Sequence, residues 1–289
     1  MLTILRTVVP VFAIAGVGFV YGRYKKLPAQ ELSDLLVWVL VPCLVLGSVG
    51  SRSIDPRELA WIAAAALLVV LGCGLVGFLA FSGRPERRAL LLPTMFMNSA
   101  NMAFPLALLA FGEAGLVYQV VFYVAINLTH VTLGIAIARG RGGLKEVFRL
   151  PLVYAAALAI VLAATDTPLP ESVAKPLDLV GKATIPLMLL LLGTRLRSVR
   201  ITGLMLSLAS SALRIGLGFG IGWLACWLLG LEGLARSAVL LGSAMPAAVL
   251  NVVLSEKYDL EPGLVSTAVA VSTFVSIGTT PLVLWFIMR

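Results

Sequence analysis

Two stretches of this 289-residue chain set amides, small residues and a proline inside apolar sequence, a combination suited to holding a small ligand by hydrogen bonds without a buried charge. The first is FMNSANMAFPLALLAFG, residues 96–112, in which Asn98, Ser99 and Asn101 stand in the turns before Pro105. Polar amides in an apolar span are costly unless they find partners. Asn98 and Asn101 either line an unwound segment and bond a ligand, or tie one helix to another as amides do in membranes. The adjacent proline favours the ligand, because interrupted helices with exposed backbone groups mark transport sites. The second stretch is SAMPAAVLNVVLSEKYDLEP, residues 243–262, with Pro246 as its break, Met245 beside it and Asn251 one turn beyond. Met245 and Pro246 are expected to face the first break; a simple kink at Pro246 and a packing role for Asn251 are the competing reading.

Neither stretch holds a carboxylate within its apolar part, and Glu113 and Glu256 lie only at the ends. A bound cation needs negative oxygen ligands, so a cation site is disfavoured, while half-helix N-termini beside amides favour an anion. Two cations fall inside other apolar spans. Lys182 follows Asp178 by four residues, the spacing of a structural salt bridge. Arg214 has no acid within a turn, and either binds an anion or caps the carbonyl end of a broken helix; a supporting role is expected of it. His130, the one histidine, is read as a packing residue. No HExxH, no pair of intramembrane aspartates and no Ser–His motif is present, so no catalytic residue, metal or cofactor is expected. Cys43, Cys73 and Cys226 lie in different spans without metal-ligand spacing.

The elements that must position these residues follow from composition. With 60% hydrophobic and 12% charged residues and a mean hydropathy of +1.03, a water-soluble core is excluded. Crossing about 30 Å of hydrocarbon takes roughly 20 residues. Ten stretches qualify: 3–22, 31–50, 58–81, 89–111, 115–138, 150–165, 173–194, 203–229, 234–254 and 264–288. The net charge of +8 reflects loop asymmetry and not a nucleic-acid footprint. On one side lie Arg23, Lys25, Lys26, Arg84, Arg87, Arg88, Arg139, Arg141, Lys145, Arg149, Arg195, Arg197, Arg200 and Lys257. The other side has only Arg6, Arg52, Arg57, Lys175, Arg236 and Arg289, which puts both termini outside. The first span carries most of its positive charge after the apolar run, so it is expected to be retained and not cleaved as a signal.

The halves echo each other. Pro42 and Pro186 sit alike in spans two and seven, Pro105 and Pro246 in four and nine, and GLV opens spans five and ten at Gly115 and Gly263. Five spans per repeat is an odd number, so the second copy enters from the opposite side. The expected fold is an all-α polytopic membrane protein of ten transmembrane helices, two inverted five-helix repeats with broken helices 4 and 9 crossing at the midplane.

With these residues the chain resembles the auxin efflux carrier family, the plant PIN-formed auxin transporters and their bacterial relatives, over nearly its whole length. The likeness is most specific where Asn98 precedes Pro105 by seven residues with Gly112 closing the helix, and across residues 244–273 with Pro246 followed by Lys257 and Tyr258. Arg214 matches an arginine of the family's eighth helix. The resemblance implies a fold related to sodium/bile-acid symporters. Its scaffold would be residues 1–56 and 146–200, and its mobile transport domain residues 57–145 and 201–289. It further implies substrate at the crossing of spans four and nine, with Asn98 meeting its carboxylate, elevator-like movement and a homodimer through the scaffold. The long central loop of the plant members is missing, since residues 139–149 form only a short basic turn. A carrier of small organic anions, auxin-like acids or dicarboxylates, in the inner membrane is therefore expected. A sodium-coupled bile-acid-type symporter and a non-transporting receptor are the alternatives.

Overall fold

Apolar sequence in a medium without water must satisfy its backbone internally, which leaves helices or closed barrels. The computed structural model describes residues 2–25, 28–49, 55–140, 144–197, 199 and 201–289, and every regular element in them is helical. Lys26, Arg52, Arg141 and Arg200 of the loop-charge comparison lie outside the described residues.

In chain order the helices are α1 (Leu2–Tyr24), α2 (29–49), α3 (Pro56–Ala80), α4 (Arg87–Met95), α5 (Ala103–Arg139), α6 (Pro151–Ala164), α7 (Glu171–Arg197), α8 (Leu204–Leu229), α9 (Gly233–Ser243), α10 (Leu250–Lys257) and α11 (Pro262–Ile287). A short turn of helix, Leu144–Val147, lies between α5 and α6. Local chemistry fixes several ends. Asp55 accepts a hydrogen bond from the Arg57 amide at 2.8 Å, with Pro56 pre-set at the first helical position of α3. At the far end of α5 the Arg88 guanidinium donates to the carbonyls of Ile137 and Ala138 at 2.7 and 3.1 Å, taking up groups that no further turn can reach.

Among the described residues, seven helical runs are long and apolar enough to cross a membrane. The stretches 89–111 and 115–138, read from sequence as separate spans, meet within one helical run. Residues 103–139 continue through a bend at Gly112, whose φ of 70° and ψ of −168° redirect the chain at a single residue. Stretch 234–254 is not one kinked helix but two, α9 and α10, with unwound backbone between them. Among the described residues, three helices also carry a wider, π-type turn: Leu36–Leu40 in α2, His130–Gly134 in α5 and Leu213–Leu217 in α8. The first ends two residues before Pro42, whose ring would otherwise clash with the preceding turn.

Packing sorts the helices by partner. Helix α1 lies along α7, α7 along α2, and α2 along α6; elsewhere α8 pairs with α11 and α3, α9 with α5, and α4 with α3 and α11. The α1–α7 contact is close enough that a Cβ on Gly18 would overlap the Leu190 carbonyl and one on Gly193 would overlap that of Ala15. Gly193→Ala is therefore expected to lower stability by about 1–3 kcal/mol, the usual cost of overpacking. Gly16→Ala is the control, because open space surrounds its Cβ position. Thermal unfolding of both in detergent checks this, and equal midpoints would mean that the helices part without cost.

Candidate functional site

The two interruptions meet. Helix α4 stops at Met95 and Phe96 turns extended, with residues 96–102 outside any helix; α9 stops at Ser243, and residues 244–249 separate it from α10. Met97 and Ala247 form an isolated antiparallel bridge, with the Asn98 N–H donating to the Pro246 carbonyl at 2.7 Å and the Ala248 N–H to that of Phe96 at 2.9 Å. Side chains satisfy further freed groups. Asn251 Nδ2 donates to the Phe96 carbonyl at 3.1 Å, Gln119 Nε2 to that of Ser99 at 3.3 Å, and Ser272 Oγ accepts from the Ala247 N–H at 3.1 Å. This is the condition under which non-helical backbone survives at depth.

Local sequence explains where the chain unwinds. Asn98 Oδ1 accepts from the Asn101 N–H at 3.1 Å, a local bond that competes with the helical one. Pro246 has no N–H to give a helix at all. Pro105, expected at the break, is instead the third residue of α5, where the amide it lacks would have had no intrahelical partner.

Arg214 lies wholly buried on the far side of the crossing. Its Nη1 donates to the carbonyls of Thr94 and Met95 at 3.0 and 2.8 Å, and its Nη2 to that of Ser243 at 2.9 Å. One guanidinium thus closes the carbonyl ends of both α4 and α9. Each such end carries about half a negative charge, so two of them balance one cation without any carboxylate.

The opposite, amide ends of the broken helices are open to a cavity of about 140 Å³. The N-termini of α5 and α10 have no side-chain cap, and Ala100, Asn101, Ala248, Val249 and Leu250 from these ends line the space. Asn98 also lines it, only 4% exposed, and its Nδ2 has no hydrogen-bond partner. A buried amide donor left open is costly and calls for an acceptor. From α5 come Tyr123, Asn127 and His130; the facing wall is Leu36, Val37 and Val41 of α2 with Met188 and Leu191 of α7. The cavity lining holds no carboxylate, lysine or arginine.

Of the residues singled out in the sequence, Asn98 and Asn101 line this cavity, whereas Pro105, Met245, Pro246 and Asn251 stand in or beside the crossing without lining it. Asp178 and Lys182 lie elsewhere. They form an ion pair at 2.6 Å, more than half exposed, beside Glu113 in a second cavity of about 400 Å³ between α2, α5 and α7. Residues overlooked in the sequence are Gln119, Tyr123, Asn127 and, as a lining residue, His130. Their spacing of four, four and three along α5 was the available signal, a polar stripe on one face of an apolar helix. Among the described residues no three His, Cys, Asp or Glu side chains are grouped to hold a metal ion.

The sequence matches the family described as membrane transport protein over residues 3–148 and 143–284. It is also 24% identical, over 93% of each chain, to an uncharacterized transporter of Methanocaldococcus jannaschii.

Proposed function

The chain belongs to the membrane transport protein family, the family of the auxin efflux carriers, and from that premise we propose that it is a secondary carrier of small organic anions, auxin-like acids or dicarboxylates, bound at the crossing. The observation that carries this reading is the open Nδ2 donor of Asn98, buried in a cavity that two uncapped helix N-termini also face. Donors and positive helix ends without a carboxylate suit an anion and offer sodium no negative oxygen ligand. In this reading Asn98 and Asn101 contact the substrate. Pro105, Met245, Pro246 and Asn251 shape the crossing, Arg214 supports it, and Lys182 with Asp178 supports the outer entrance.

The wider architecture belongs to the same proposal. Ten spans in two inverted five-helix repeats would account for the antiparallel meeting of the two breaks. A scaffold of residues 1–56 and 146–200 agrees with the packing of α1, α2, α6 and α7. A mobile transport domain of residues 57–145 and 201–289 agrees with the packing among α3, α4, α5, α8, α9 and α11. Elevator-like movement of one against the other, dimerisation through the scaffold, and an inner-membrane location with both termini outside complete the reading.

Uptake into proteoliposomes tests it. Labelled succinate or indole-3-acetate is expected to enter saturably, with competition from other carboxylates, while organic amines of similar size are excluded. Saturable uptake of an amine or a neutral sugar, unaffected by any carboxylate, would sink the anion reading.

A further inference from the structure

One titratable side chain at the crossing is held in an unusual setting. His130 is buried, lines the cavity, and sits in the π-type turn of α5, a distortion frequently found at functional sites. Its ring stacks on Phe96 at 4.1 Å between centroids and 2° between planes, so it lies flat against the unwound segment. Its Nε2 has no hydrogen-bond partner, and neither does the Oδ1 of the buried Asn251, a neighbouring side chain. A proton on Nε2 would make these two atoms donor and acceptor to each other.

We infer that His130 binds one proton together with the anionic substrate, so that the carboxylate group held at the crossing and the proton form a neutral pair. The inference rests on the anion reading given above and adds the coupling ion to it.

Charge accounting carries the argument. Asn251 of α10 is a polar neighbour of the ring, and Phe96 of the unwound segment offers only its face. The short turn Leu144–Val147 packs on the π-type turn and carries Lys145 and Glu146, the latter paired with Arg139 at 3.6 Å. The α2 and α7 walls are apolar apart from Ser33, whose hydroxyl accepts from Arg195 Nη2 at 3.4 Å. Tyr123 is the other titratable lining residue, and a tyrosine ordinarily ionises only near pH 10, about three units above neutrality. An imidazolium in the cavity without a ligand would therefore have no counter-charge. A carboxylate held by Asn98 Nδ2 supplies one. Both nitrogens of the imidazolium donate, where neutral imidazole offers one donor and one acceptor. One donor then serves Asn251 Oδ1 and the other the ligand, and the proton is drawn from the aqueous side on which the cavity opens. Because linkage is reciprocal, the anion raises proton affinity by the factor by which the proton raises anion affinity.

His130 is the only histidine in the chain, so its ring signals need no assignment. Protein carrying ¹⁵N-labelled imidazole and a histidine-free affinity tag is placed in nanodiscs, and ring ¹⁵N spectra are recorded from pH 5.5 to 8 with and without succinate or indole-3-acetate. The expected result at pH 7 is a neutral ring in the ligand-free protein and an imidazolium in the presence of the carboxylate. Affinity of the wild type, followed by scintillation proximity, should fall about tenfold per pH unit over the range in which one proton is gained on binding. In His130→Asn it should stay flat. If a carboxylate binds while the ring stays neutral and affinity does not change with pH, the proton inference is overturned and the anion site stands. An imidazolium already present in the ligand-free protein at pH 7 overturns it equally. If neither probe binds at any pH, the anion reading falls and the coupling falls with it.

Discussion

Asn98→Asp should abolish anion binding in a protein that still folds. The substitution keeps the shape of the side chain and the oxygen that accepts from the Asn101 N–H, and it leaves the backbone bond to Pro246 untouched. What changes is the unpartnered atom of a cavity-lining side chain, where a donor becomes a carboxylate oxygen. Two like charges about 4 Å apart at an effective dielectric of 20 repel by about 4 kcal/mol, about a thousandfold in affinity. Asn98→Ala removes the donor without adding charge, and should cost only about 1–3 kcal/mol, the range for a lost hydrogen bond to a charged group. Scintillation proximity on detergent-purified protein separates the two, with size-exclusion profiles as the folding control. A normally folded Asn98→Asp variant that binds carboxylates as well as the wild type would show that the cavity is not the anion site.

Arg214→Lys is expected to act on the fold and not on affinity. The planar guanidinium reaches three carbonyls at two helix ends, and a single ammonium cannot span both. Losing one end strips a charge-assisted hydrogen bond and leaves a buried carbonyl unpaired, together about 3 kcal/mol. Reduced folded yield and a lower thermal midpoint in detergent should follow, with substrate affinity in the surviving protein close to normal. A variant of wild-type stability and rate but much weaker binding would move Arg214 from the frame of the crossing to its ligand.

The parts of this site that were legible in the sequence are those whose cause is local. Prolines and amides inside apolar stretches marked both interruptions, because each disturbs the helix it belongs to. Pro105 misled by three residues, since a proline is tolerated in a first turn as readily as it breaks an interior one. Arg214 shows why other parts were hidden. Its partners are backbone carbonyls 120, 119 and 29 residues away, and a carbonyl leaves no trace in residue type. The π-type turns have no compositional signature either. His130 was visible but read alone; set beside Gln119, Tyr123 and Asn127 at helical spacing, it belongs to a polar face that points to the crossing. The bend at Gly112 was marked only as a helix end, because sequence does not reveal whether a positive-φ glycine stops a helix or turns it.

The pair of backbone bonds between residues 96–98 and 246–248 has a mechanical consequence. The two interruptions are stitched to each other, so the binding surface cannot open like a pair of jaws without tearing its own seam. The wall it faces on α2 and α7 is a greasy rail of Leu36, Val37, Val41, Met188 and Leu191, with Ser33 as its one hydroxyl. Sliding along such a rail breaks no hydrogen bond and costs only the exchange of one apolar neighbour for another. In the proposed elevator-like reading, a guest gripped by the stitched side would ride with it as freight, its own contacts unbroken, as the two walls shift past each other.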